Sequence, residues 1–256
     1  MDNSVELEFK LAVTATADQV LAELSGANTI AGCSVGGAQT KILEDRYFDS
    51  TDGCLGKAGI ALRIRVESGQ ASVAIKADER IADNGLVERF EWERRWQSNT
   101  GTELAKALSR LGSEINIAGN GNHDPLAFMS DAGFIVLQHR KTERIVRHLQ
   151  CDAAMSSMEL ALDRTWYQVN GKPDRRIEHC ELELEIDSID RDIAAAVIRK
   201  LTWQYPGLRA WRHNKLVTGL ALPRFLVDAT PNESIGRLSD QQYEQLDRFI
   251  NNTMQR

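Results

Sequence analysis

The sequence predicts a mainly β, α+β fold built on an antiparallel sheet or barrel, on three observations. About eight runs of chain alternate polar and apolar residues with a period of two. Connections between neighbouring runs are often short, which suits antiparallel pairing better than a parallel α/β arrangement. Helical periodicity is confined to a few segments between and after these runs.

The first run, "VELEFKLAV" (5–13), places Glu6, Glu8 and Lys10 on one face of a strand and Val5, Leu7, Phe9 and Leu11 on the other. "TADQVLAELSG" (16–26) predicts a short helix with Thr16 as N-cap, a Val20, Leu21, Leu24 stripe and Gly26 as stop signal. Extended runs follow at 42–49 ("ILEDRYFD"), 60–66 ("IALRIRV") and 71–77 ("ASVAIKA"), and "ESGQ" between the last two has the length and glycine of a hairpin loop. "LVERFEWERRW" (86–96) sets Arg89, Glu91 and Glu93 opposite Phe90 and Trp92. Residues 97–133 read as a helical excursion: "TELAKALSRLG" is periodic as a helix, "AGNGNHDP" is a Gly/Asn-rich link, and "LAFMSDAG" fits more than one state. Extended character returns at 134–149, 157–169 and 176–187, the first two joined by a turn around "QCDAAMS". A helix is expected over 190–205 and an amphipathic one over 239–254. This divides the chain into one domain over 1–222 and a tail over 223–256.

At 256 residues the chain can bury a substantial single core. Its 42% hydrophobic and 27% charged residues describe a globular protein, and no apolar run approaches bilayer-crossing length, so no membrane partner is expected. "MDNSVELEFK" has neither the basic nor the apolar region of a signal peptide, making the cytoplasm the expected location. Cys33, Cys54, Cys151 and Cys180 show no metal-ligand spacing and are expected to be reduced thiols. The net charge of −6 argues against a nucleic-acid coat, and no nucleic-acid partner is expected, although a local basic pocket is compatible with it.

Where each sign of charge sits is more informative. Glu6, Glu8 and Lys10; Arg63 and Arg65; Lys76; Arg89, Glu91 and Glu93; Arg140 and Arg144; Asp163; and Glu181, Glu183 and Glu185 all keep the period of two, with apolar residues between them. Patterning alone favours a sandwich whose charged faces are surface. The alternative is a barrel with the charges turned inward and its apolar exterior covered by helices. Chemistry tilts the balance toward the second. Three glutamates on one face repel one another unless cations hold them, and hard divalent metals take such oxygens. Pairs such as "RIR" suit polyphosphate oxygens. No P-loop is present, so a metal–polyphosphate complex would have to be held by the strands themselves.

These blocks, taken in order over about residues 4–220, resemble the CYTH superfamily of triphosphate tunnel metalloenzymes. "ELEFK" matches the hallmark ExExK, "YFDSTDGCLGKAGIALRIR" (47–65) the block that ends in LRxR, and "IKA" (75–77) the next basic strand. "NGLVERFEWE", "MELALDR" (158–164), "ELELEI" and "HNKLVTGL" complete the series. Ser50 stands where Thr is usual, Asn214 where Ser is usual, and "QHRKTER" fits loosely, leaving Arg140 and Arg144 as alternatives.

The resemblance implies an eight-stranded antiparallel barrel forming a tunnel with a charged interior, flanked by helices. It implies hydrolysis of a triphosphate-containing small molecule, inorganic triphosphate being the nearest match, with two divalent cations, Mg²⁺ or Mn²⁺. Lys10, Arg63, Arg65, Lys76 and Lys215 would hold the triphosphate, with Arg89 and Arg144 as additions. Glu6, Glu8, Asp163, Glu183 and Glu185 would hold the metals, with Glu91 and Glu181 nearby. One cation would bridge Glu6 and Glu8 to the phosphates and the other, toward Asp163, Glu183 and Glu185, would activate water. Glu6, Glu8, Lys10, Glu183 and Glu185 are thus the expected catalytic set. Class IV adenylyl cyclase, thiamine or nucleoside triphosphatase, and a non-catalytic polyphosphate-binding module are the competing functions. The five histidines form no ligand motif and read as structural or surface residues. Tyr47, Phe48 and Asp49 read as residues that fix a strand end and turn, Trp92 and Trp96 as packing residues, and Glu88 and Arg94 as facing solvent or covering loops. The tail helix could cap the barrel or pair two copies as a homodimer.

Overall fold

The computed structural model describes residues 4–14, 16–112, 124–169, 172–229 and 236–253. Its strands are β1 (Ser4–Val13), β2 (Thr29–Ile30), β3 (Cys33–Val35), β4 (Gln39–Ser50), β5 (Ala61–Glu67), β6 (Gln70–Ile81), β7 (Leu86–Arg95), β8 (Phe134–Gln150), β9 (Met158–Val169), β10 (Lys172–Glu185) and β11 (Leu208–Ala210). Its helices are α1 (Ala17–Gly26), α2 (Cys54–Lys57), α3 (Thr100–Arg110), α4 (Pro125–Asp131), α5 (Arg191–Gln204), α6 (Lys215–Ala229) and α7 (Asp240–Thr253).

Hydrogen bonding runs in the order β8-β4-β5-β6-β7-β1-β10-β9, and β9 returns to β8, so eight antiparallel strands close into a barrel. The short β2, β3 and β11 pair outside this ring. The β5–β6 hairpin turns on Ser68 and Gly69, both at positive φ (49° and 76°), the primed turn whose twist matches the flanking strands. The strand expected over 42–49 is longer at both ends, and the one expected over 71–77 continues to Ile81. "LAFMSDAG" resolves into α4, where Pro125 opens the helix and the Asp124 carboxylate accepts from the Leu126 amide at 2.9 Å. Most of the expected "AGNGNHDP" link lies outside the described residues. Thr16 precedes α1, but its hydroxyl makes no capping bond.

The chain packs as two compact units. The first comprises Met1–Val5, Leu43–Arg80 and Arg89–Arg140. Its core joins Leu62, Ile64, Val73, Ile75 and Trp92 to Leu104 and Leu108 of α3 and Phe128 and Met129 of α4. Gly101 permits that packing, because a Cβ there would stand 2.4 Å from the Phe128 ring. Trp96 meets Phe128 edge-on at 5.2 Å, so both Trp92 and Trp96 are packing residues.

The second unit comprises Glu6–Ile42, Ile81–Glu88 and Lys141–Arg256. Leu7, Phe9 and Leu11 pack with Val20, Leu21 and Leu24 of α1 and with Val197, Ile198 and Leu201 of α5. The apolar face of β1 is therefore covered by helices from Leu7 to Leu11, whereas Val5 is exposed, and each covered side chain contributes about 1.5–3 kcal/mol through burial. A separate cluster gathers Tyr167, Ile177 and Trp211 with Leu222 and Phe225 of α6 and Tyr243, Leu246 and Ile250 of α7.

Two of the expected free thiols are in fact joined: Cys33 and Cys151 form a disulfide. They lie 118 residues apart, outside the reach of any local spacing motif. β3 brings them together by pairing Ser34 with Gln150 and Val35 with Leu149. Cys54 and Cys180 remain thiols. No helix among the described residues is long and apolar enough to cross a membrane.

Candidate active site

The second unit gathers three carboxylates whose oxygens lie within 4.8 Å of one another: Asp163 from β9 and Glu181 and Glu183 from β10. Register explains the grouping. Asp163 stands opposite Glu181 across the β9–β10 ladder, and Glu183 is two residues along on the same face. Two cations hold these charges together. Lys215 Nζ lies 3.0 Å from Asp163 and 2.9 Å from Glu181, and also contacts Glu183. Arg144 donates to both Asp163 oxygens at 2.7 and 2.6 Å and to Glu183 at 2.6 Å.

Lys215 is aimed by a helix start. The Asn214 side chain accepts from the Val217 amide at 2.9 Å, so asparagine does there the capping work a serine hydroxyl would do. Ser50 behaves likewise in place of threonine, accepting from the Cys54 amide at 2.9 Å.

On β1, Glu8 and Lys10 pair at 3.6 Å, and Lys10 stands opposite Glu183 across the β1–β10 ladder. Glu6, Glu8 and Lys10 are all buried, which rejects the solvated-face reading of the first strand. Glu185 differs. It is exposed and lies outside the three-carboxylate group, whereas Glu181 is fully buried within it.

Charge dominates the titration of Glu181, Glu183 and Lys215. Burial pushes the Glu181 carboxyl up, but Lys215 and His179 outweigh it and hold the group down to about 2. Burial likewise opposes ionisation of Glu183, yet Lys215, Arg144 and Lys10 keep it well below the usual carboxylate range. Burial would discharge Lys215, and the surrounding carboxylates instead raise its pKa. Three clustered carboxylate oxygens are the donor set that a hard divalent cation takes, so this cluster fits such an ion.

The first unit holds a set of cations each paired with a carboxylate. Arg65 forks onto Asp45 at 2.8 and 3.0 Å, Arg63 lies 3.5 Å from Glu93, Lys76 pairs with Glu91 at 3.1 Å, and Arg89 pairs with Glu79 at 3.3 Å. Ladder pairing sets Asp45 opposite Arg65 and Tyr47 opposite Arg63. Arg140 completes the group, donating to Asp45 at 3.1 Å and to the Tyr47 hydroxyl at 2.6 Å, with its guanidinium over the Tyr47 ring. The two arginine candidates on β8 thus have different partners: Arg144 is bound to Asp163 and Glu183, while Arg140 is locked onto Asp45 and Tyr47. Asp49 fixes the following turn, accepting from the Leu55 and Gly56 amides at 2.8 and 2.9 Å.

Three participants were not selected from sequence. Asp45 shares the strand parity of Tyr47, but a lone acid in a mixed run carries no signal of two arginine partners. His179 is buried against Glu181 and Tyr243 against His179, and only the alternation of His179 with Glu181 and Glu183 hinted at this.

With this geometry in place, the family model of the CYTH domain matches residues 4–216. The chain belongs to the CYTH superfamily. Two solved structures share the fold. One is HpAC1 from Hippeastrum, an adenylyl cyclase candidate described as having a dominant triphosphatase activity; it is 19% identical, with a TM-score of 0.56 over 84% of this chain and 94% of that one. The other is an adenylate cyclase candidate from Bacillus halodurans, 18% identical, with a TM-score of 0.50 over 84% of this chain and 97% of that one. No curated protein matches the chain.

Proposed function

We propose that this CYTH protein hydrolyses inorganic triphosphate to pyrophosphate and phosphate with two divalent cations, Mg²⁺ or Mn²⁺. The observation that carries the reading is the Asp163, Glu181, Glu183 group, the first two buried and the third half-buried, interlocked with Lys215 and Arg144. Anionic and cationic groups in one largely buried cluster suit a cation and a phosphate chain together, and triphosphatase activity in HpAC1 agrees with it.

Asp163, Glu181 and Glu183 are assigned to metal binding, with Glu6, Glu8, Glu91 and Glu185 as further candidates. Lys10, Arg144 and Lys215 are assigned to phosphate oxygens, and Arg63, Arg65, Lys76 and Arg89 carry the same role on the family resemblance. A bound divalent cation supplies positive charge to the developing anion and makes water a better nucleophile. Lys215 and Arg144 exchange carboxylate partners for phosphate oxygens, neutralising the transferred group and the leaving pyrophosphate in an in-line displacement. The catalytic domain is assigned to residues 1–222 and the tail to 223–256. The test offers tripolyphosphate, ATP and thiamine triphosphate with Mg²⁺ or Mn²⁺, reading phosphate and cyclic AMP. Fastest phosphate release from tripolyphosphate supports the assignment. Preferred cyclic AMP formation, or tight polyphosphate binding without turnover under any metal, refutes it.

A further inference from the structure

Glu181 has a second set of partners that the phosphate chemistry does not require. His179, two residues before it on β10, is fully buried, and its Nε2 lies 3.0 Å from Glu181 Oε1. The other ring nitrogen, Nδ1, lies 2.8 Å from the Tyr243 hydroxyl. The ring is walled by Trp211, Tyr243 and Tyr167 at centroid distances of 5.6, 5.5 and 6.3 Å. Tyr243 comes from α7, and that helix is anchored by Leu246 and Ile250 against α6.

We propose that Tyr243 and His179 are positioning residues that link the C-terminal helix to Glu181 and set the affinity of the carboxylate group for a divalent cation. The direction of the relay follows from donor and acceptor capacity. Nε2 and Glu181 Oε1 face each other at 3.0 Å in a buried site without the alignment of a finished hydrogen bond, and because a carboxylate oxygen only accepts, a small ring rotation closes that bond only with the proton on Nε2. With the proton on Nε2 and none on Nδ1, Nδ1 accepts from the Tyr243 phenol, and that contact holds the tautomer in place. Burial, together with the nearby Cys180 and Glu181, keeps the Tyr243 hydroxyl protonated far above its ordinary range, as a donor must be. Lys215 Nζ lies 2.9 Å from the other Glu181 oxygen, so when that lysine turns to phosphate, His179 is the side chain left against the carboxylate to orient it.

The inference rests on the metal-binding part of the proposed function and not on the identity of the substrate. Its test uses the full chain without substrate. Mn²⁺ binding is followed by electron paramagnetic resonance for the wild type, Tyr243→Phe, His179→Gln and the double variant, and ¹⁵N-histidine NMR at pH 8 reads the His179 tautomer in metal-free protein. Tyr243→Phe should keep its melting temperature within a few degrees, lose the fixed Nε2–H signature and weaken Mn²⁺ binding by roughly tenfold. His179→Gln carries its own amide N–H toward Glu181, so adding Tyr243→Phe to it should leave the affinity about where His179→Gln alone sets it. A wild-type Nδ1–H tautomer, Mn²⁺ affinity unchanged in Tyr243→Phe, or no Mn²⁺ binding by the wild type overturns the relay. Normal Mn²⁺ binding without triphosphate turnover counts against the proposed function alone.

Discussion

Replacing Asp45 with asparagine tests how far buried charge pairing holds the basic strands together. The carboxylate accepts from two guanidinium groups, Arg65 at 2.8 and 3.0 Å and Arg140 at 3.3 and 3.1 Å. Asparagine keeps the shape and one acceptor but removes the charge and turns an NH₂ toward a cation. Removing one partner from a buried pair costs about 3–5 kcal/mol. Most of that cost falls on Arg140, whose side chain is 0% exposed, because Arg65 at 15% retains access to water. At roughly 2–4 °C per kcal/mol for a chain of this size, the melting temperature should fall by about 6–20 °C. Glu244→Gln, which breaks the exposed Arg209–Glu244 pair, should cost less than about 1 kcal/mol.

An acid limb follows from the same residue. Against the upward push of burial, Arg65, Arg63 and Arg140 hold the Asp45 carboxyl well below its ordinary value. A depressed folded pKa means stabilisation that is fully present above the unfolded value of about 3.9 and is lost as pH falls through the folded one. Asp45→Asn should therefore show a shallower loss of stability below about pH 4. Urea titrations of both variants across pH 3–7 provide the assay. A loss below about 1 kcal/mol at pH 7, or an unchanged acid limb, would refute the reasoning.

Lys215→Ala leaves three clustered carboxylates with one fewer counter-charge. In EDTA it should lose about 3–5 kcal/mol, and Mn²⁺ should raise its melting temperature more than that of the wild type, as scanning calorimetry can check. Phe9→Ala removes a ring that is 2% exposed against α1 and α5, and should cost about 3–5 kcal/mol by urea denaturation. Reducing the Cys33–Cys151 disulfide, which spans 118 residues, should lower stability by about 2–5 kcal/mol, measured by denaturation with and without dithiothreitol.

Much of this was readable from the chain because strand parity is a local property. Glu6, Glu8 and Lys10 alternate with Leu7, Phe9 and Leu11, and a one-residue error would exchange the two faces, so the pattern alone announced two different environments. It did not say which face was buried, and in fact both are. Position along a strand was harder to read. Glu181, Glu183 and Glu185 are equivalent by parity, yet ladder register sets Asp163 against Glu181 and leaves Glu185 exposed at the strand end. Long-range pairings left no local trace. The Cys33–Cys151 bond depends on β3 meeting β8, and the Tyr243–His179 contact depends on where α7 docks. Arg147 shows the same limit. It reads as another basic residue near Arg144, but its guanidinium donates to the Leu24 and Ala27 carbonyls at the end of α1.

The central claim is metal-dependent triphosphate hydrolysis at the Asp163, Glu181, Glu183 group. Its most direct test is initial-rate phosphate release from tripolyphosphate by wild type and Glu183→Gln, with Mn²⁺ or Mg²⁺ and with EDTA. The account predicts turnover in the wild type that requires the metal and falls at least about a hundredfold in Glu183→Gln, on the scale of lost electrostatic stabilisation at a reacting centre. Wild-type turnover that survives EDTA, or equal rates in the two proteins, would contradict it.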